Sequence, residues 1–317
     1  MNTEFIIFIF CCLLLFNCQS NEVEVAAEID ETQPYITVLG VAQDAGYPQV
    51  GCKKECCQRV VENPELKRRV VALGLIDPVS GERWLFEATP DFREQYNELM
   101  SIKPKEDTLS GIFLTHAHIG HYTGLMQLGR EVMGTKNVPV YAMPKMRRFL
   151  YSNGPWRQLT ALNNIKINKL TADSTIVLND NLSVKPLLVP HRDEFSETVG
   201  FIIQSKNKSL LFIPDIDKWS KWNRDILALI REVDYAFLDA TFYKNGEIKG
   251  RDMSQIPHPF VEESMGLFRE LSNFDKTKVH FIHFNHTNPL LIHNSEANEN
   301  VTKGGFSIAK EGQKIGL

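Results

Sequence analysis

The chain is short of several things, and each shortage excludes something. Lysine and arginine (35) are outnumbered by aspartate and glutamate (39), giving a net charge of −4 over 317 residues. No basic footprint is therefore expected for holding a nucleic-acid backbone. No repeat or long low-complexity tract is present, which removes solenoids and arrays. The apolar run "FIIFIFCCLLLF", residues 5–16, has twelve residues, well short of the roughly 20 that a membrane-spanning helix needs. Histidine is scarce too, at nine, yet three of the nine fall within six positions in "FLTHAHIGHYTGL".

The twelve-residue run has the length of a signal-peptide core. Leu15 stands three before Cys18, and the polar stretch "QSNEVEVAAEIDETQP" follows. This resembles a bacterial lipoprotein signal. The expectation is a signal ending at a lipidated Cys18 (1–18), a polar tether (19–34) and one folded domain (35–317), exported and membrane-anchored through the lipid. Two details depart from that pattern: no lysine or arginine precedes the run, and Phe16 and Asn17 are bulky. Cleaved soluble export and an uncleaved anchor are the alternatives.

From Tyr35 onward, short apolar runs of strand character alternate with helical patterns at about 91–101, 121–134, 217–232 and 259–273. The fold class is α/β. Several runs end in a polar residue able to ligate or polarise: His116, His191, Asp215, Asp239 and His283. The ends of strands are where a rigid sheet can present chemistry without burying unpaired polar groups.

In the histidine motif, "GIFLT" reads as a strand, His116 opens a loop, and a helix follows with Leu125, Leu128 and Val132 along one stripe. His116 and His118, two apart in extended chain, can point to one side, and His121 in the first helical turn can approach from another. Neutral imidazoles in that arrangement suit zinc or iron.

This motif, with the later strand ends in order, resembles the metallo-β-lactamase fold family, whose pattern is His-x-His-x-Asp-His. The resemblance implies an αββα sandwich of two mixed β-sheets flanked by helices. His191 in "LLVPHRDEF" matches the next ligand, Asp215 in "LFIPDID" the carboxylate that bridges two metals, and His283 in "VHFIHFNH" the last histidine. Asp217 is the alternative bridge, but Asp215 directly follows the strand. "LGVAQDAGYPQVGC", "VPHRDEFSETVGF" and "FIHFNHTNP" are closer still to the pyrroloquinoline quinone biosynthesis protein B branch, over about residues 36–293.

Where the family pattern has aspartate, this chain has Gly120. The first metal keeps His116, His118 and His191, an open three-ligand set, with Asp215 or water in the fourth position. The second keeps His121, His283 and the bridging Asp215 and is one carboxylate short. One or two catalytic zinc ions are expected, with iron or manganese as alternatives. The implied activity is metal-dependent hydrolysis of a small ester, amide or phosphodiester, with Asp215 in the catalytic set. Two histidines and a carboxylate also suit a non-haem iron oxygenase, and a non-catalytic small-molecule-binding member is the third reading.

In phosphodiesterase branches of the family, a histidine after a comparable strand and loop protonates the leaving group, which the resemblance carries to His258; a helix cap is its plainer role. Asp239 either orients a ligating histidine or caps a turn. In "GCKKECC", Cys52, Cys56 and Cys57 admit a disulfide plus a free thiol. The family resemblance instead implies a structural zinc with His286 as fourth ligand, although the Cys-x-x-x-Cys-Cys spacing leaves Cys56 open. Trp219 and Trp222 are expected to pack. Arg147, Arg148 and Trp156 line an entrance or belong to a solvated face, and His280 and His293 have no assigned partner.

Overall fold

In the computed structural model, residues 30, 32–102, 108–192 and 194–317 are described. Among the described residues, two seven-stranded sheets carry the fold. The first contains β1 (Tyr35–Gly40), β2 (Ala72–Ile76), β3 (Arg83–Phe86), β4 (Gly111–Phe113), β5 (Val138–Ala142) and β6 (Ile165–Lys169). The second contains β7 (Ile176–Val177), β8 (Ser183–Leu188), β9 (Val199–Gln204), β10 (Ser209–Ile213), β11 (Tyr235–Asp239), β12 (Val279–Ile282) and β13 (Ser307–Ile308). The last strand, β14 (Lys314–Gly316), returns to the first sheet, giving the orders β14-β1-β2-β3-β4-β5-β6 and β13-β12-β11-β10-β9-β8-β7.

Both sheets are mixed. In the first, β14, β1, β2 and β3 pair antiparallel and β3 through β6 parallel. In the second, β7 through β10 pair antiparallel and β10 through β13 parallel. This is the αββα sandwich expected from the sequence.

Side-chain alternation explains the layering. In β1, Ile36 and Val38 join the core that contains the inward faces of both sheets, whereas Tyr35 and Leu39 belong to a second core outside the first sheet. The intersheet core is aromatic: Phe86 stacks on Phe113 at 4.9 Å between centroids, and Phe201 meets both rings edge-on. The outer core lies under α2 (Phe92–Ser101), α4 (Pro144–Ser152) and α5 (Trp156–Ala161), through Phe92, Leu99, Met146, Leu150 and Leu159. The remaining helices used below are α1 (Glu55–Glu62), α3 (Ile119–Tyr122), α6 (Ile226–Glu232) and α7 (Val261–Leu267).

Three expected helices are shorter than their patterns; in the 259–273 stretch, α7 ends at Leu267 and a 3-10 turn, Phe268–Glu270, follows. The 121–134 stretch forms only the one-turn α3 and a 3-10 segment, Thr123–Leu128, and Val132 is exposed rather than part of a buried stripe. Gly124 explains this: it lies so close to the chain after β3 that a Cβ there would come within 2.2 Å of the Thr89 carbonyl oxygen. That contact holds the segment against the sheet end, at the expense of a regular helix. The 217–232 stretch splits into a 3-10 turn, Trp219–Lys221, and α6, because Asp225 caps the new helix by accepting from the Leu227 amide. Trp219 and Trp222 do pack, each indole N–H satisfied, by Ser264 Oγ and the Leu188 carbonyl respectively.

Candidate metal centre

All the expected centre residues converge where the strand ends of the two sheets meet. His116 follows β4, His191 follows β8, Asp215 follows β10, Asp239 ends β11 and His283 follows β12. The three-residue spacing from His118 to His121 is one helical turn, closed by the His121 amide donating to the His118 carbonyl at 2.9 Å.

Four atoms face one another on one side. His116 Nε2 lies 2.8 Å from His118 Nδ1, which lies 3.3 Å from His191 Nε2. Asp215 Oδ2 is 3.4 Å from His116 Nε2 and 3.2 Å from His191 Nε2. Four donors bound tetrahedrally at about 2.0 Å would stand roughly 3.3 Å apart, so this spacing fits a small divalent cation. The burial agrees: His116 and Asp215 are almost wholly enclosed, and lone pairs crowded this way are repulsive without a cation or proton between them.

The outward atoms of these rings are held. Thr115 Oγ1 lies 2.9 Å from His116 Nδ1, and Asp217 Oδ1 lies 3.3 Å from His191 Nδ1 while its other oxygen takes the Lys221 ammonium. A partner on Nδ1 fixes the tautomer that leaves Nε2 free to ligate. Asp217 thus lies outside the cluster, beside His191 Nδ1, and Asp215 is the aspartate whose oxygen lies within it.

The second side contains His121, His283 and Asp215, and also Asp44, which the sequence reading passed over. Both histidines are fully buried, and among the described residues His121 Nε2, His283 Nε2, Asp44 Oδ1 and Asp215 Oδ1 make no well-formed hydrogen bond. Such orphaned buried groups are costly unless an ion or water satisfies them. Asp44, His121 and His283 each offer a ligand atom within 4.8 Å of the others. His121 Nδ1 faces the fully buried Glu87 Oε1 at 3.2 Å, a second residue missed in the sequence. Its signal was available: Glu87 follows the apolar β3 run just as the noticed residues follow theirs.

Asp239 serves both roles considered for it. Its Oδ1 accepts from the amide and the hydroxyl of Thr241, at 2.8 and 2.7 Å, and Thr241 Oγ1 in turn lies 2.9 Å from His283 Nδ1. Its Oδ2 is 2.8 Å from His258 Nδ1, and Asp215 Oδ1 is 3.2 Å from the same nitrogen. Burial opposes a charge on His258, but the Asp239 and Asp215 carboxylates outweigh it and lift the imidazole to about 10. Burial likewise pushes Asp239 up, and the His258 charge overcomes it, leaving the carboxyl at about 2. His258 is thus part of the buried centre and lies before α7 without capping it; at that helix's start the Phe260 amide donates to Glu263 Oε2 at 2.8 Å.

Cys52, Cys56, Cys57 and His286 also meet, with ligand atoms within 4.8 Å of one another. The Cys56 sulfur, left open by the spacing, is in the group, and no disulfide forms among these three thiols. Their positions at the start of α1 and three residues beyond His283 link the loop after β1 to the loop after β12. Trp156 packs on Tyr122 and Phe149, with ring centroids 4.8 and 5.6 Å apart, beside the histidine loop. Arg147 lies over the Tyr151 ring at 6.0 Å.

Comparison with known proteins bears on this geometry. Residues 82–284 match the family described as a beta-lactamase superfamily domain. The chain is 24% identical to the coenzyme PQQ synthesis protein B of Methylorubrum populi, over 89% of this chain and 100% of that protein. It is 26% identical to the protein of the same name from Methylococcus capsulatus, over 89% and 99%. Among solved structures, zinc-bound PqqB from Methylobacterium extorquens superposes with a TM-score of 0.74 at 22% identity, covering 89% of this chain and all of that one. A diphosphatase of the PhnP family gives 0.63 at 23%, covering 90% and 97%, and the short form of human tRNase Z gives 0.55 at 18%, covering 89% and 99%.

These relatives correct one expectation. Proteins named for synthesis of a coenzyme are matched along their whole length by 89% of this chain, and that kinship does not support a lipoprotein. The lipidated Cys18 and the membrane anchor are therefore withdrawn. Residues 1–29, on which they rested, lie outside the described residues, and no helix among the described residues is long and apolar enough to cross a membrane.

Proposed function

The chain belongs to the beta-lactamase superfamily, and from that premise we propose that it is a metal-dependent hydrolase of a small ester, amide or phosphodiester. The observation that carries this reading is the convergence of His116 Nε2, His118 Nδ1, His191 Nε2 and Asp215 Oδ2 on one point, with His258 at its edge. A zinc ion held there would polarise the scissile group and bring the pKa of water to about 7.

The chain's own residues do the rest. Thr115 and Asp217 keep two ligand imidazoles in the ligating tautomer. Asp215 stands between both sides of the centre, with Oδ2 toward His116 and His191 and 3.9 Å from His121, and Oδ1 toward His258. Asp239 and Thr241 hold His258 by Nδ1, leaving Nε2 as the nitrogen that can give a proton to a departing alkoxide or amine. Cys52, Cys56, Cys57 and His286 have the donor set of a structural zinc, which would pin the loop after β1 to the end of β12.

The test is turnover of chromogenic phosphodiester, ester and β-lactam substrates by protein stripped with chelator and reloaded with zinc. Zinc-dependent cleavage of one class is expected. A second reading, an iron-dependent oxygenase, draws on the pair of histidines with a carboxylate on the other side of the centre. Tight iron with substrate-dependent oxygen uptake and no cleavage would replace the first reading with the second.

A further inference from the structure

We propose that Asp44 is the carboxylate of the second metal site, occupying from the loop after β1 the place that a side chain at position 120 would otherwise take. The inference rests on the metal-dependent reading of the centre.

The main chain puts Asp44 there. After β1, the Phe284 amide donates to the Val41 carbonyl and the Gln43 amide to the Phe284 carbonyl, both at 2.8 Å, so the loop is paired with the residue next to His283. The Gly46 amide then donates to the Gln43 carbonyl at 2.8 Å and turns the chain. Asp44 projects from that turn with Oδ1 3.0 Å from His121 Nε2, and Gln43 donates to its other oxygen at 3.3 Å.

The same loop accounts for Gly120. A Cβ at position 120 would lie 2.3 Å from Asp44 Oδ1 and 2.6 Å from Asp44 Cα. Neither an aspartate nor an alanine at 120 is compatible with this position of the loop. The glycine is therefore the space through which a donor from elsewhere enters, and the second site is not short of a carboxylate. Its set is His121 Nε2, His283 Nε2 and Asp44 Oδ1, with Asp215 between the two sides at 3.9 Å from His121 Nε2. Among the described residues, each of the three non-bridging atoms is buried without a well-formed hydrogen bond.

The test is zinc titration of the full chain against a chromogenic chelator, with metal content by mass spectrometry and anomalous scattering from wild-type crystals. Wild type should hold two zinc ions among the histidines, the second with an Asp44 oxygen at about 2.0 to 2.2 Å. Asp44→Ala should weaken only that second ion, by more than about tenfold. Gly120→Ala removes no donor, and by displacing Asp44 it should weaken the same ion. The proposal is overturned if Asp44→Ala keeps both ions at unchanged affinity, or if wild type holds one ion at His116, His118 and His191 and none at Asp44. Absence of metal from both sides would instead overturn the hydrolase reading along with it. Should a variant fold poorly, the wild-type anomalous map still decides.

Discussion

The two sides of the centre are built differently. On the first, His116 and His118 come from one loop, with His191 and Asp215 from strand ends of the facing sheet, and the residue types and spacing announce their role. On the second, His121 and His283 meet Asp44, an aspartate in a turn with no ligand spacing around it. Glu87 and His283 both adopt left-handed backbone, with φ of 80° and 69°, a conformation uncommon outside glycine that clusters at functional sites. The first side and the two histidines of the second follow motif spacing and strand ends, while the Asp44 carboxylate depends on tertiary pairing. A local pattern can be read in sequence because spacing and strand periodicity fix it; tertiary pairing cannot.

Removing the first side should have the largest effect. His116→Ala with His118→Ala takes away two of four ligand atoms and should lower hydrolysis by on the order of 10³-fold or more, measured as kcat/KM after zinc reloading. Retained hydrolysis would show that this side is not where the chemistry occurs. His258→Gln leaves both metal sets intact and should cost about 10²- to 10⁴-fold in kcat. The loss should be smaller for substrates whose leaving group needs no proton, and an equal loss for all leaving groups would assign His258 a packing role.

Glu87→Gln sharpens the comparison further. It keeps the shape beside His121 Nδ1 but removes the charge, and should weaken zinc on the second side about 10- to 100-fold while sparing the first. Equal weakening on both sides would mean that the two sides do not hold metal independently.

His280 provides a control of a third kind: a buried histidine in β12 that stacks on Phe237 at 4.7 Å and faces no carboxylate in the centre. Burial alone pushes it down to about 4. The unfolded chain takes up that proton near pH 6.5, so the contribution is present above that pH and is lost as pH falls from about 6.5 toward 4. Between pH 7 and 5 this group should cost about 2 kcal/mol of unfolding free energy. Denaturant titrations of wild type and His280→Phe should differ by that slope, and parallel curves would show that the ring is solvated in the folded state.

Much of the fold was legible because its strands are short, apolar and punctuated by polar ends. Asp239 and His258 were also within reach, since each has a position relative to a strand. The shortening of the helices at 121–134 and 217–232 was not, because Gly124 and Asp225 act through a close backbone approach and a cap that override apolar periodicity. Asp44 was the least accessible of all. Its neighbourhood, "QDAGYP", reads as a turn, and only the hydrogen bonds between residues 41–43 and Phe284 make it a neighbour of His283.

Those few hydrogen bonds also bear on how the protein assembles. They join positions 44 and 283, separated by most of the chain, and β1 is enclosed on its outer edge by β14 at the far end. Contacts of such sequence separation incur their loop-closure entropy before they bring any stabilisation. The His116 loop can take shape as soon as β3, β4 and β5 are together. The Asp44 side instead needs residues 41–43 and Phe284 to be paired, so its geometry rests on contacts between distant parts of the sequence.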